Sequence, residues 1–176
     1  RRSSDLDHVR RFQESAIDLL SHTSSQFDLP KDERFMAGVT GHKPSHSGIL
    51  RSGVSRTLAL MGCRPQQEEG ADNTEAVANH IVRNVLAKAN DWRVLATLGS
   101  DLAVLAEAAP DTTLAKLGEA LDHDPNPYLQ LFEEEDGGIF GGCPHSGLLW
   151  ALERLAWSAG HFTETALLLA RLSSID

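Results

Sequence analysis

The chain has 176 residues, which suits one domain that buries about 70% of the unfolded chain's surface on folding, so a hydrophobic core needs no disulfide or metal staple. Sixteen Lys and Arg face 25 Asp and Glu, a formal charge of −9 at neutral pH, and no basic stripe interrupts that balance. Such a surface repels a polyphosphate backbone and an anionic bilayer alike, which argues against nucleic acid and membrane as partners.

Taken in order, Ser3 and Ser4 before Asp5-Leu6-Asp7 read as a helix N-cap followed by an acidic first turn. Val9, Phe12, Ala16 and Leu19 then recur at helical spacing to about His22. Residues 21–28 are polar and loop-like. Pro30 suits the first position of a short helix that stops near Gly38 or Gly41. Ile49, Leu50, Val54, Leu58 and Met61 predict one apolar face of the next helix, with Gly62 as its stop. Residues 64–72 read as a solvated loop. Asn73 or Thr74 caps a helix over 75–88, in which Val77, Ile81 and Val85 form a row.

Asp91 opens a helix carrying Trp92, Val94, Leu95 and Leu98, and Gly99-Ser100 breaks it before another over 101–109. Pro110 starts a helix with Leu114, Leu117 and Leu121. Residues 122–128 are a turn, because each proline disfavours a helical conformation in the residue before it. A short helix through Leu129 and Phe132 leads into four acidic residues, Glu133, Glu134, Glu135 and Asp136, and then into a glycine-rich bend. Two apolar helices follow, separated by a turn at Gly160. With no run of alternating β-branched residues, the fold class is all-α: an α-α superhelix or irregular array of stacked antiparallel helix pairs, in one domain over 1–176. The chain opens on Arg1 without Met and closes directly after an apolar helix, so a fragment of a longer protein is expected.

An internal echo links Pro44-Ser45-His46-Ser47-Gly48-Ile49-Leu50 to Pro144-His145-Ser146-Gly147-Leu148-Leu149, about 100 residues on. It reads as a recurrent helix start: Ser47 or Ser146 caps through its hydroxyl, and the following glycine admits a close neighbour. That separation marks every second or third helix pair of a stack. The segment HSGLLWALERLAWS (145–158), followed by ALLLARLSSID, resembles helical-repeat regions of large bacterial multidomain proteins, some of which carry a STAND-type NTPase module. The resemblance covers about the last 35 residues, with a weaker trace near residue 46. It implies a helical arm for scaffolding or sensing. No G-x-x-x-x-G-K-[ST] loop is present, so nucleotide binding does not carry over.

His42, His46 and Cys63, with Cys143 and His145, are residue types that hold zinc. Pro44 interrupts the H-x-x-x-H spacing, however, and no C-x-x-C pair exists, so loop histidines and ordinary thiols are the simpler reading. Cys143 and His145 would also make a nucleophile and base, although positions i and i+2 lack a third, orienting group. Glu133, Glu134, Glu135 and Asp136, with Asp122 and Asp124, cluster carboxylates, but their spacing departs from a calcium loop, and a charge run beside glycines is usually solvated. Trp150 and Trp157, seven apart, share a helix face beside Leu148, Leu152, Leu155 and Ala159, which predicts helix-packing core; Trp92 is expected in core as well. Left partly uncovered, Trp150, Trp157 and Phe162 would instead form an interaction surface.

The sequence therefore leads to a non-catalytic protein–protein interaction, scaffold or sensor segment of a larger bacterial protein, its partner a separate protein or other domains of the same chain, with no cofactor. An alternative from another class is a metal-dependent or hydrolytic domain using the His and Cys loops at 42–63 and 141–146, which would have to meet in space. Self-association through 146–173 is a third. Two cysteines 80 residues apart, no signal peptide and no run near the roughly 18 apolar residues of a spanning helix lead to a cytoplasmic expectation.

Overall fold

The computed structural model describes residues 2–42, 45–63, 74–133 and 143–175, with residues 2–5 as backbone. Every regular element among the described residues is helical: α1 (Arg2–Ser21), α2 (Gly48–Cys63), α3 (Thr74–Leu86), α4 (Trp92–Leu98), α5 (Asp101–Ala108), α6 (Pro110–Ala120), α7 (Pro127–Leu131), α8 (Ser146–Ala156) and α9 (Phe162–Leu172). Two short 3₁₀ segments, Ser25–Asp28 and Lys31–Met36, join α1 to α2. None of these helices is long and apolar enough to cross a membrane.

The helices stack as pairs. α2 packs on α3, α5 on α6 and α8 on α9, while α5 lies between α2 and α8 in one layer and α6 lies between α3 and α9 in a second. Side-chain contacts fix the directions. Arg51 and Ser52 reach Asp101 at the start of α5, and Cys63 reaches the Glu107 carbonyl near its end, so α2 and α5 run the same way. Gly147 meets Gly99 at one end of α8 and Arg154 pairs with Glu107 at the other, so α8 is parallel to both. In the second layer, His161 meets Asp111 and Arg171 meets Asp122, which makes α6 and α9 parallel. α1 covers α3, and α7 covers α4.

Local chemistry sets most boundaries. In α3 the predicted row holds, with Ile81 and Val85 fully buried and Val77 packed at its edge. The Asp91 carboxylate accepts from the Arg93 backbone N–H at 3.0 Å, capping α4, and Gly99 ends that helix at φ +51°, a conformation that favours glycine. Pro110 opens α6 as expected. Asn126 caps α7 by accepting from the Tyr128 N–H at 2.9 Å, and the buried Tyr128 hydroxyl donates to the Leu117 carbonyl at 2.8 Å, tying α7 to α6.

Several expectations need correction. α1 already contains Ser3 and Ser4, so neither precedes it as a cap. The loop-like stretch 21–28 winds into a 3₁₀ turn over its second half, and the helix after Pro30 is 3₁₀ with Pro30 just outside it. Gly62 does not stop α2, which continues through Cys63; a Cβ at Gly62 would lie 2.0 Å from the Ala108 carbonyl oxygen. That close approach also explains the face α2 buries. Arg51, Ser55, Leu58 and Gly62 follow a 3–4 spacing toward α5, and the crossing admits small residues, leaving Ile49 88% and Leu50 52% exposed.

The echo divides its two devices. Ser47 caps α2 by accepting from the Leu50 N–H at 3.1 Å, while Gly48 faces open space. Ser146 makes no cap, whereas Gly147 makes the close approach. In space the echo joins α2 to α8, two steps along one layer. Pro44, the loop 64–72 with Asn73, the acidic residues Glu134, Glu135 and Asp136, and the glycine-rich bend through Gly142 lie outside the described residues.

Candidate functional site

Three parallel helices with a short middle member make a trough. α5 has only eight residues, and its Ala103 and Val104, with Ser100 just before it, line the floor beneath longer neighbours. Ser52 and Arg56 of α2 form one wall; Trp150, Glu153, Arg154 and Trp157, on α8 and its end, form the other. The groove measures about 600 Å³.

Its floor is anchored by a largely buried ion pair. Asp101 accepts from the Ser52 hydroxyl at 2.9 Å, and its second carboxylate oxygen lies 3.6 Å from an Arg51 Nη. The same guanidinium donates to the Thr97 carbonyl. Desolvation lowers the pKa of Arg51 from its ordinary value, and the Asp101 charge opposes that shift. At the far end of α5, Arg154 pairs with Glu107. Arg56 and Glu153, one on each wall, form no ion pair with a described residue, so each offers a charge to an incoming group.

The tryptophans correct the packing expectation. Trp150 is 51% and Trp157 83% exposed, whereas Leu148, Leu152 and Leu155 are buried. Seven-residue spacing does put both rings on one face of α8. The 148-152-155 stripe, however, lies roughly half a turn away on a helix of 3.6 residues per turn, and it is the stripe that meets the core. Phe162, at the start of α9, is 57% exposed, and Ala159 is exposed in the turn. Trp92 is packed under the 3₁₀ segments, edge-on to Phe27 at 5.4 Å and with the Arg34 guanidinium 4.9 Å from its ring centre.

The predicted metal and nucleophile residues are scattered. His46 precedes α2 and Cys63 ends it, at least roughly 20 Å away along a 16-residue helix. His145 stands at the start of α8, two interhelix spacings from the start of α2, or about 16–20 Å. The loops at 42–63 and 143–146 therefore do not converge. Cys143 is exposed, His145 stacks on Phe132 at 5.1 Å with its Nδ1 buried and unpartnered, and the His42 N–H donates to the Ala37 carbonyl. Of the clustered carboxylates, Glu133 pairs with Lys31 at 2.8 Å, Asp122 with Arg171 at 2.5 Å, and Asp124 is exposed. Among the described residues no three His, Cys, Asp or Glu side chains gather as metal ligands.

Sequence reading missed the Arg51–Asp101 pair and the meeting of His22 with His46, whose ring centres are 5.3 Å apart. A signal for the first exists in the sequence: Arg51 occupies the same 3–4 stripe as Ser55, Leu58 and Gly62, a place where a charge needs a partner. Nothing local signals the second, since it depends on how the 3₁₀ segments return the chain to the end of α1. Compared with models of known protein families, with curated proteins and with solved structures, the chain matches none.

Proposed function

We propose that this chain is a non-catalytic binding platform whose α2–α5–α8 face receives a segment of another protein or of another domain in the same polypeptide. The observation that carries this reading is the placement of Trp150 and Trp157, both exposed, along one wall of a groove floored by small side chains. Tryptophan supplies a large rigid contact area and is enriched among residues that dominate binding energy. Arg56 and Glu153 give the two walls opposite charges, which would set the direction of a bound segment more than its affinity. The stacked pairs support a helical arm that presents this face.

A displayed peptide library panned against the chain, with counter-selection on a Trp150→Ser/Trp157→Ser variant, tests this. The reading expects enriched peptides that bind the chain, shift its tryptophan emission to the blue and lose affinity by about tenfold or more on the variant. Peptides that bind both proteins equally, or no enrichment, would overturn it.

A further inference from the structure

On the opposite side of α2 from the groove, the end of α1 meets the segment leading into α2. We infer that His22 and His46 form a two-imidazole site for a divalent transition-metal ion, zinc being the natural occupant, which clasps α1 to α2. The two ring centres are 5.3 Å apart and their planes are 81° apart. Two imidazoles sharing one tetrahedral ion, with metal–nitrogen bonds of about 2.0–2.1 Å, have ring centres separated by about 5 Å. The observed separation matches that spacing, with the two rings edge-on to one another.

The surroundings suit that ion. Neither ring makes a hydrogen bond to a described residue, so both retain nitrogen lone pairs, and His22 is exposed to solvent. Asp18, one helical turn before His22, lines the same cleft as His46, a space of about 310 Å³ between α1 and α2 otherwise walled mainly by apolar side chains such as Phe12, Leu19 and Leu50. Two imidazoles with one carboxylate are a donor set of zinc, cobalt and nickel. Because no three ligands stand gathered among the described residues, water completes the site and Asp18 joins after its side chain rotates. The site shares no residue with the groove, and the two readings stand or fall separately.

The test uses the untagged chain, stripped of metal with chelator and dialysed, then titrated with zinc chloride against a competing indicator. One equivalent should bind and raise the melting temperature. His22→Ala and His46→Ala should each weaken binding roughly tenfold or more, and Asp18→Asn less, because an ion held by so few ligands loses much of its affinity with either imidazole. A measurement without substitutions runs alongside: mass-mapped carbethoxylation of the eight histidines with and without zinc, in which His22 and His46 should be shielded. Failure to bind zinc, unchanged affinity in His22→Ala or His46→Ala, or shielding confined to other histidines would overturn the inference.

Discussion

Gly147 abuts Gly99 so closely that a Cβ on Gly147 would lie 2.2 Å from the Gly99 carbonyl oxygen. Gly62 makes the matching approach to Ala108, so the middle helix α5 is gripped at opposite ends by glycines of its two neighbours. Backbone does not yield as a flexible side chain does. Gly147→Ala and Gly62→Ala should therefore each destabilise the fold by about 3 kcal/mol, the upper part of the usual overpacking range. Gly53, in the same helix as Gly62 but facing open space, gives the contrast: Gly53→Ala should stabilise by about 0.5–1 kcal/mol through helix propensity. Urea unfolding of the three variants checks the pattern, and equal effects would deny the close packing.

That contrast also shows what could be read from the sequence. The i, i+4 row of Val77, Ile81 and Val85, the proline start at 110 and the Gly99 break were legible because each is a local rule acting from one turn to the next, whereas Pro127, read as part of a turn, in fact opens α7. Gly62 was misread as a stop because a helix-ending glycine and a glycine under a crossing backbone look the same until the neighbour is placed. Trp150 and Trp157 were misread for a related reason. Their shared face was correct, but two candidate faces existed on α8, and only the position of α5 and α9 decides which one is covered. The groove itself is a property of three helices that lie far apart in sequence, and no local pattern carries it.

The Arg51–Asp101 pair should be costly to break from one side. Asp101→Ala leaves a largely buried guanidinium with the Thr97 carbonyl as its remaining partner and removes the acceptor of the Ser52 hydroxyl, so a loss of about 3–5 kcal/mol is expected. Asp101→Asn keeps an acceptor for Ser52 and should cost clearly less. Chemical denaturation of both variants decides it, and a loss within experimental error for Asp101→Ala would show the pair to be incidental.

Exposure of the groove tryptophans predicts a separation of stability from binding. Trp150→Ser and Trp157→Ser should each change unfolding free energy by no more than about 0.5 kcal/mol, as expected for surface positions. Trp92→Ala, which strips the contacts to Phe27 and Arg34, should cost about 2–4 kcal/mol. Iodide quenching of single-tryptophan variants offers an independent readout, with Trp157 quenched most. Strong destabilisation by Trp157→Ser would place that ring in a core.

Tyr128 predicts how stability depends on alkaline pH. Its ring is fully buried and its hydroxyl donates to the Leu117 carbonyl, and burial raises the phenol pKa well above its ordinary value, with the Arg171 charge opposing. The unfolded chain should release this proton near pH 10, whereas the folded chain holds it to higher pH. Over that interval the folded state binds more protons than the unfolded state, so unfolding free energy falls as pH rises; below about pH 10 the contribution is fully present. Tyr128→Phe removes the titration along with one hydrogen bond. The variant should be about 1 kcal/mol less stable at pH 8, and the gap should narrow or reverse as pH rises past 10. Urea unfolding of both proteins between pH 8 and pH 11 measures this directly. Parallel curves would mean that the Tyr128 hydroxyl is not held protonated by the α6–α7 contact.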